Sequence, residues 1–196
     1  MPKLINPKKK IEMALKLLGF LFIIGYIVYQ IIEVHVRALG GSLIEIKGYS
    51  FWSLMGETSI WMGVVGGFLF LLLGLVNEIK QLKKLPMILQ VLIGGTAITL
   101  TELLSGLLLN KALGLNIWDY LKEMPNDFLA QISQGQINTS TTMKWYLLAP
   151  FAFWLDDVAR WLFYKAEGGI KRTEYSLIWI YFQIFNLKAP VYQQDK

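Results

Sequence analysis

Twenty consecutive residues, Thr58 to Asn77, carry no charge, and a block of that length decides which solvent the chain folds in. A helix of about twenty residues, rising about 1.5 Å per residue, crosses the roughly 30 Å hydrocarbon core of a bilayer. A second block runs from Leu85 to Thr101, seventeen residues without a charge, and resumes for eight more after Glu102. A third covers Leu17 to Ile32, sixteen residues. Of the 196 residues 55% are hydrophobic and only 17% charged, where a soluble domain of this length carries about 25% charge. The surplus lies in the long uncharged blocks, which is the pattern of an integral membrane protein.

Several function classes drop out at once. There is no cysteine, so disulfides, thiolate catalysis and cysteine metal sites are excluded. A single histidine, His35, rules out a multi-histidine metal centre within one chain. The net charge of +5 is carried by basic residues beside apolar blocks, which marks membrane topology and not nucleic-acid binding. Lys8, Lys9 and Lys10 precede the first block, and Ala38-Leu39-Gly40 loosely resembles a cleavage site. That block is long for a secretory signal, so it is expected to stay as a membrane anchor.

Four spans are expected: about Ile11 to Val36, Trp52 to Val76, Pro86 to Leu109 and Trp145 to Tyr164. Lys16 and Glu33 lie near the ends of the first, where long side chains reach the interface. The fourth is the least regular, because Asp156, Asp157 and Arg160 interrupt it. Lysine and arginine then set orientation. Lys3, Lys8, Lys9, Lys10, Lys80, Lys83, Lys84, Lys165, Lys171, Arg172, Lys188 and Lys196 fall on one side, and Arg37, Lys47, Lys111, Lys122 and Lys144 on the other. The richer side is cytoplasmic, so both termini are expected there.

Trp52, Trp145 and Tyr146 would sit at the outer interface, Trp161 and Tyr164 at the inner one. The apolar run Leu177 to Phe182 is too short to cross and reads as an aromatic helix in the inner interface. A short strand or a partner-docking segment are its other readings. The expected fold is all-α: a polytopic membrane bundle of four transmembrane helices over residues 1–165, with a cytoplasmic tail over 166–196 holding the interfacial helix.

In the second span Gly56, Gly63, Gly67 and Gly74 share one helical face. Such a face packs closely on another helix or leaves a smooth path for a ligand, and packing is the norm in membranes. In the third span Gly95, Thr99, Glu102 and Gly106 fall at i, i+4, i+7 and i+11, with Asn110 one turn further. This turns Glu102 into the bundle. A carboxylate in hydrocarbon costs roughly 2.5–3.5 kcal/mol on insertion scales, so it marks a candidate site. Glu57 is the other acid at depth, and both are expected in the outer half. They would share a proton, bind a cation, or accept a hydrogen bond from Thr99 or Ser105. The bland alternative is a neutral, hydrogen-bonded structural acid, since burial disfavours the charged form.

Asp156 and Asp157 precede Arg160 by four and three residues and can pair with it on one helix face. They form a structural charge cluster, since intramembrane charges commonly pair. A divalent cation held with substrate oxygens is the weaker alternative. No phosphate loop, nucleophile elbow or histidine-rich metal helix occurs, so an enzyme is not expected, nor a resident metal or cofactor.

The stretch Thr101 to Tyr120, TELLSGLLLNKALGLNIWDY, resembles the bacterial CmpB-type ABC-transporter permeases. Glu102, Ser105-Gly106, Asn110, Leu113-Gly114-Leu115 and Trp118-Asp119-Tyr120 carry the likeness. Pro125, Asn126, Gln131-Ile132, Asn77-Glu78 and Asp156-Asp157 through Arg160-Trp161 add to it, over about Tyr49 to Phe163. Three departures stand out. Leu121 takes the place of a frequent serine, and Ala130-Gln131-Ile132-Ser133 that of Gly-Gln-Ile-Cys. The polar stretch Gln134 to Thr142 replaces an apolar continuation. The resemblance implies a permease of a bacterial cytoplasmic membrane. An ATPase-driven permease needs a cytoplasmic coupling helix, and the loop from Asn77 to Leu85 has only nine residues. An ATPase partner is therefore discounted, while small-solute or ion translocation stands.

The expected path runs between spans two and three, with Glu102 as the binding carboxylate and Glu57, Thr99, Ser105 and Asn110 beside it. Trp118, Asp119 and Tyr120 form the outer mouth, or else Trp118 and Tyr120 are interfacial anchors. With four spans, a homo-oligomer or a partner membrane subunit in the bilayer is expected. The rivals are a non-transporting scaffold or accessory subunit, and a holin-like pore former.

Overall fold

The computed structural model describes residues 7–39, 58–167 and 176–190. Among these every element is helical and no strand occurs. Three helices are long and apolar enough to cross a membrane, Lys8–His35, Ile60–Glu78 and Met87–Ala112, matching the three long apolar blocks of the sequence. The described chain forms two compact units, Met1–Leu71 with Ala159–Lys171, and Leu72–Val158 with Arg172–Lys196.

In the first unit α1 (Pro7–Leu39) packs on the first part of α2 (Ile60–Glu78). Pro7 suits a first turn, where its missing N–H has no intrahelical partner to lose. Ser59 precedes α2 and its hydroxyl accepts from the Trp61 amide at 3.2 Å, meeting one of the donors that a helix start leaves over. The Gln30 side chain, in turn, donates to the Ser59 carbonyl at 2.8 Å. Between these contacts the helices meet through glycine. Rings of Tyr26 and Phe22 occupy the space where side chains at Gly63 and Gly67 would begin, and Tyr29 does so at Gly66. The glycine face is therefore a packing face at Gly63 and Gly67, as small residues allow in membranes, while Gly56 lies outside the described residues. Opposite, Ile11, Leu15, Ile23, Ile27 and Ile31 of α1 are exposed, an apolar surface of the kind a bilayer covers.

In the second unit α2 ends at Glu78, a single turn α3 (Lys80–Lys83) follows, and α4 (Met87–Gly106) starts after Pro86. Its buried face is Met87, Gln90, Val91, Gly94, Gly95, Ile98, Glu102 and Gly106, which includes Gly95, Glu102 and Gly106 of the expected stripe, while Thr99 is only half-buried. The helix then loosens into a π-helical stretch, Leu107–Ala112. A polar cap over residues 113–138 follows, carrying two short helices, α5 (Tyr120–Glu123) and α6 (Phe128–Ile132). The chain returns through α7 (Thr139–Ala166), whose first turn Asn138 closes by accepting from the Thr141 amide at 2.8 Å.

α7 contains the whole of the expected fourth span and begins six residues before it. Its buried side packs on α4: Phe153 and Ala149 lie over Gly94, and the Tyr146 ring over Gly95. Pro150 sits inside α7 and is fully buried. It has no N–H, and its ring crowds the carbonyl four residues back, which loosens the helix locally. The hydroxyl of Tyr181 donates to the Leu147 carbonyl there, at 2.8 Å.

Tyr181 belongs to α8 (Leu177–Gln183), capped by Ser176, whose hydroxyl accepts from the Trp179 amide at 3.1 Å. The run expected as an aromatic helix in the inner interface is helical; Ile180 is fully buried and α8 contacts α4. Leu147 lies nineteen residues before Ala166, about 28 Å along the helix axis. α8 is thus seated against the body of the α4–α7 pair.

Candidate functional site

Glu102 is buried, 5% exposed, near the end of α4. Its Oε1 accepts from the Tyr120 hydroxyl at 2.9 Å and its Oε2 from the Trp145 indole N–H at 2.6 Å. One donor comes from the cap and the other from α7. Thr99 and Ser105 do not serve it in this way. The Thr99 hydroxyl donates to Gly95 O at 3.0 Å and that of Ser105 to Thr101 O. Helical hydroxyls commonly bond back to the carbonyl four residues earlier, so hydroxyls on Glu102's own helix are drawn away from it. Glu57 lies outside the described residues.

The cap is held to the end of α4 by Asn110, which is buried. Its Nδ2 donates to Trp118 O at 3.0 Å and to Gln136 Oε1 at 2.9 Å, and its Oδ1 accepts from the Ile117 amide at 2.6 Å. The Trp118 indole donates to Gln136 O at 3.0 Å. Trp118, Gln136 and Gly106 meet closely: a Cβ on Gly106 would lie 2.5 Å from Gln136 Oε1 and 3.0 Å from the Trp118 ring. Trp118 is therefore buried inside the cap.

Asp119 caps α5 by accepting from the Leu121 amide at 3.1 Å. It lies against Gly135, which has φ +83° and no room for a side chain, while the Tyr120 amide donates to Gly135 O at 2.9 Å. These contacts fix the start of α5 and so aim Tyr120 at Glu102. Asp127 does similar work further on. It accepts from the Ala130 amide at 2.9 Å and, through both oxygens, from the Thr139 amide at 3.1 Å. The Ala130 amide, first, and the Thr139 contacts hold its carboxyl below the usual carboxylate value, against a smaller opposing effect of burial.

A second acidic group lies at the other end of the α4–α7 pair. Carboxylate oxygens of Glu78, Asp156 and Asp157 all lie within 4.8 Å of one another, and Asp156 is fully buried. Asn77 Nδ2 donates to Asp156 Oδ2 at 3.2 Å and to Asp157 Oδ1 at 3.1 Å, and Lys83 lies 3.6 Å from Glu78. Three clustered carboxylates have the hard-oxygen chemistry of a divalent-cation site. Here the Asn77 amide hydrogen-bonds two of them and the Lys83 ammonium offsets part of the charge. Arg160 follows one turn later in α7.

The structure thus joins Glu102, Asn110, Trp118, Asp119 and Tyr120 into one network. It adds Trp145 and Gln136, which the sequence reading left out of the site. Trp145 read as an interfacial ring because it opens an apolar span, and nothing local shows that its indole turns inward. Gln136 lies in the polar stretch that departs from the family pattern. Polar residues beside an N-cap Asn were the available signal. No protein-family model, curated protein or solved structure matches the chain.

Proposed function

We propose that this chain is a multi-pass protein of the bacterial cytoplasmic membrane, of the permease-like kind its Glu-to-Trp-Asp-Tyr block resembles. It translocates a small solute or ion, with α7 as a fourth span and the N-terminus on the cytoplasmic side. Glu102 is the binding carboxylate. The observation that carries this reading is a buried acid clamped between two separate elements, the cap through Tyr120 and α7 through Trp145. An ionisable side chain inside an apolar helix is costly and commonly marks a pathway or a proton relay, and here its donors come from two different elements.

The path lies along the α4–α7 face. Trp145, Ala149, Phe153 and Asp156 follow one another at helical spacing on α7, so one face links Glu102 to the Asp156 group. Between the two acidic ends Phe153 and Ala149 close on Gly94. Passage of a solute along this face requires that contact to part. Purified protein reconstituted in liposomes tests the reading: uptake of ions or small solutes above the rate of protein-free vesicles supports it. Its absence across protons, alkali and divalent cations and small organic ions favours the scaffold.

A further inference from the structure

We infer that α8 lies inside the hydrocarbon of the bilayer, with its exposed face turned to the acyl chains of lipid, and is not a helix of the inner interface. This rests on the membrane reading above and not on translocation. The first observation is the level at which α8 is seated. The Tyr181 hydroxyl donates to Leu147 O at 2.8 Å. Leu147 stands in α7 between Tyr146, whose ring covers Gly95, and Ala149, which lies over Gly94. The helix Met87–Ala112 is long and apolar enough to cross a membrane, and Gly95 falls eight residues after its start and seventeen before its end. Along the axis those are about 12 Å and about 25 Å. A hydrocarbon core is about 30 Å thick, so a segment bonded to α7 at this level and touching α4 lies within it.

The second observation is where the polar groups of this segment go. The twelve residues from Ser176 to Leu187 carry no charge, too few to span a bilayer but of the length of a re-entrant segment. Hydrocarbon offers no hydrogen bonds, so a segment within it has to satisfy its own donors and acceptors. At the start of α8, Ser176 accepts from the Trp179 amide through its hydroxyl at 3.1 Å and from the Ile180 amide through its carbonyl at 3.3 Å. At the end, the amides of Ile184, Phe185 and Asn186 donate to the carbonyls of Tyr181, Phe182 and Gln183 at 3.2, 3.3 and 3.1 Å. The Asn186 side-chain amide donates to Gln183 Oε1 at 3.4 Å. The Tyr181 phenol is met by Leu147 O. Both ends and the polar side chains thus find partners within the protein.

The third observation is the surface that α8 leaves over. Ile180 is fully buried, while Ile178 and Phe182, one turn apart on another face, are 69% and 68% exposed. Phe185 and Leu187 are 84% and 82% exposed. Leu147, whose carbonyl holds Tyr181, is exposed on α7, and α4 likewise exposes Leu92, Leu100 and Leu104. The free face of α8 therefore adds to the apolar surface that the two helices turn outward, and lipid covers both. Because α8 touches α4 and bonds α7, it bridges the pair on the lipid side.

The chain has no cysteine, so a nitroxide can be attached at one introduced position at a time in the full chain. The labelled protein is reconstituted in vesicles of phosphatidylcholine and phosphatidylglycerol. Collisions with oxygen, which concentrates in hydrocarbon, are compared with collisions with a water-soluble nickel chelate. Ile23→Cys on the exposed face of α1 serves as the lipid reference and Lys80→Cys, exposed in α3, as the water reference. Ile178→Cys and Phe182→Cys should behave as Ile23→Cys does, with oxygen collisions several-fold above nickel collisions, and Lys80→Cys should give the reverse. Nickel collisions that dominate at both α8 labels, with Ile23→Cys still in lipid, overturn the inference and leave the membrane reading standing. Labels on α8 that neither reagent reaches mean that another protein chain covers the face, which overturns it as well. Nickel collisions that dominate at Ile23→Cys too remove the membrane reading and this inference together. Ile178 and Phe182 are both exposed, so a label displaces little packing, and if one variant does not fold the other decides alone.

Discussion

Replacing Asn110 with alanine should release the cap from α4, and the size of the effect can be worked from its bonds. Three hydrogen bonds end on this side chain, to Trp118 O, Gln136 Oε1 and the Ile117 amide, at 3.0, 2.9 and 2.6 Å. At about 1 kcal/mol net for each, their loss is worth about 3 kcal/mol, and more where buried partners stay unpaired. Three kcal/mol corresponds to a roughly 150-fold rise in the population of the open cap. Lys122 is exposed within α5 of the cap, so trypsin cleavage after it in detergent-solubilised full-length protein reports on cap opening. Cleavage tracks the open population when reclosing is fast compared with cutting. Asn110→Asp sharpens the measurement. It keeps an acceptor for the Ile117 amide but turns a second oxygen on Trp118 O and Gln136 Oε1, and should open the cap at least as far. An acceleration below about fivefold in Asn110→Ala, or about 1 kcal/mol, would refute the claim that this residue anchors the cap.

Other outcomes follow from the same geometry. Gly66→Ala should destabilise the α1–α2 contact by about 1–3 kcal/mol through overpacking against Tyr29. Gly19→Ala, with nothing within 4 Å of its added methyl, should be neutral or slightly stabilising; thermal unfolding in detergent separates the two. Because the Asp127 carboxyl is held low by the amides it accepts from, the cap gains stability from it above the ordinary carboxylate value near about pH 4. That gain should be lost as pH falls below this value and through the lowered one, and an acid-active protease should show the loss in wild type but not in Asp127→Asn. Tyr181→Phe removes the bond to Leu147 O and should weaken the seat of α8 by about 1 kcal/mol, read as faster hydrogen exchange in Leu177–Gln183.

The long apolar helices were legible because composition alone sets them: uncharged runs of seventeen and twenty residues leave few options besides spans. The inward face of α4 was legible too, since small and polar residues recur at helical spacing through Gly95, Glu102 and Gly106. What touches that face was not. Periodicity says which way Glu102 points but not which element arrives there, and its partners lie eighteen and forty-three residues away along the chain. The cap was hidden for a related reason. Its order comes from buried side-chain amides, Asn110 and Gln136, whose residue types usually signal solvent. The seat of α8 includes a bond from Tyr181 to Leu147, far back in another helix, a coupling no local pattern contains.

Ion flux in proteoliposomes matched for protein content, with wild type and Glu102→Gln side by side, bears most directly on the buried carboxylate. A role as the translocation site predicts measurable flux in wild type and the protein-free rate in the variant, with Trp145→Phe between them. Equal flux in wild type and a folded Glu102→Gln variant would contradict it.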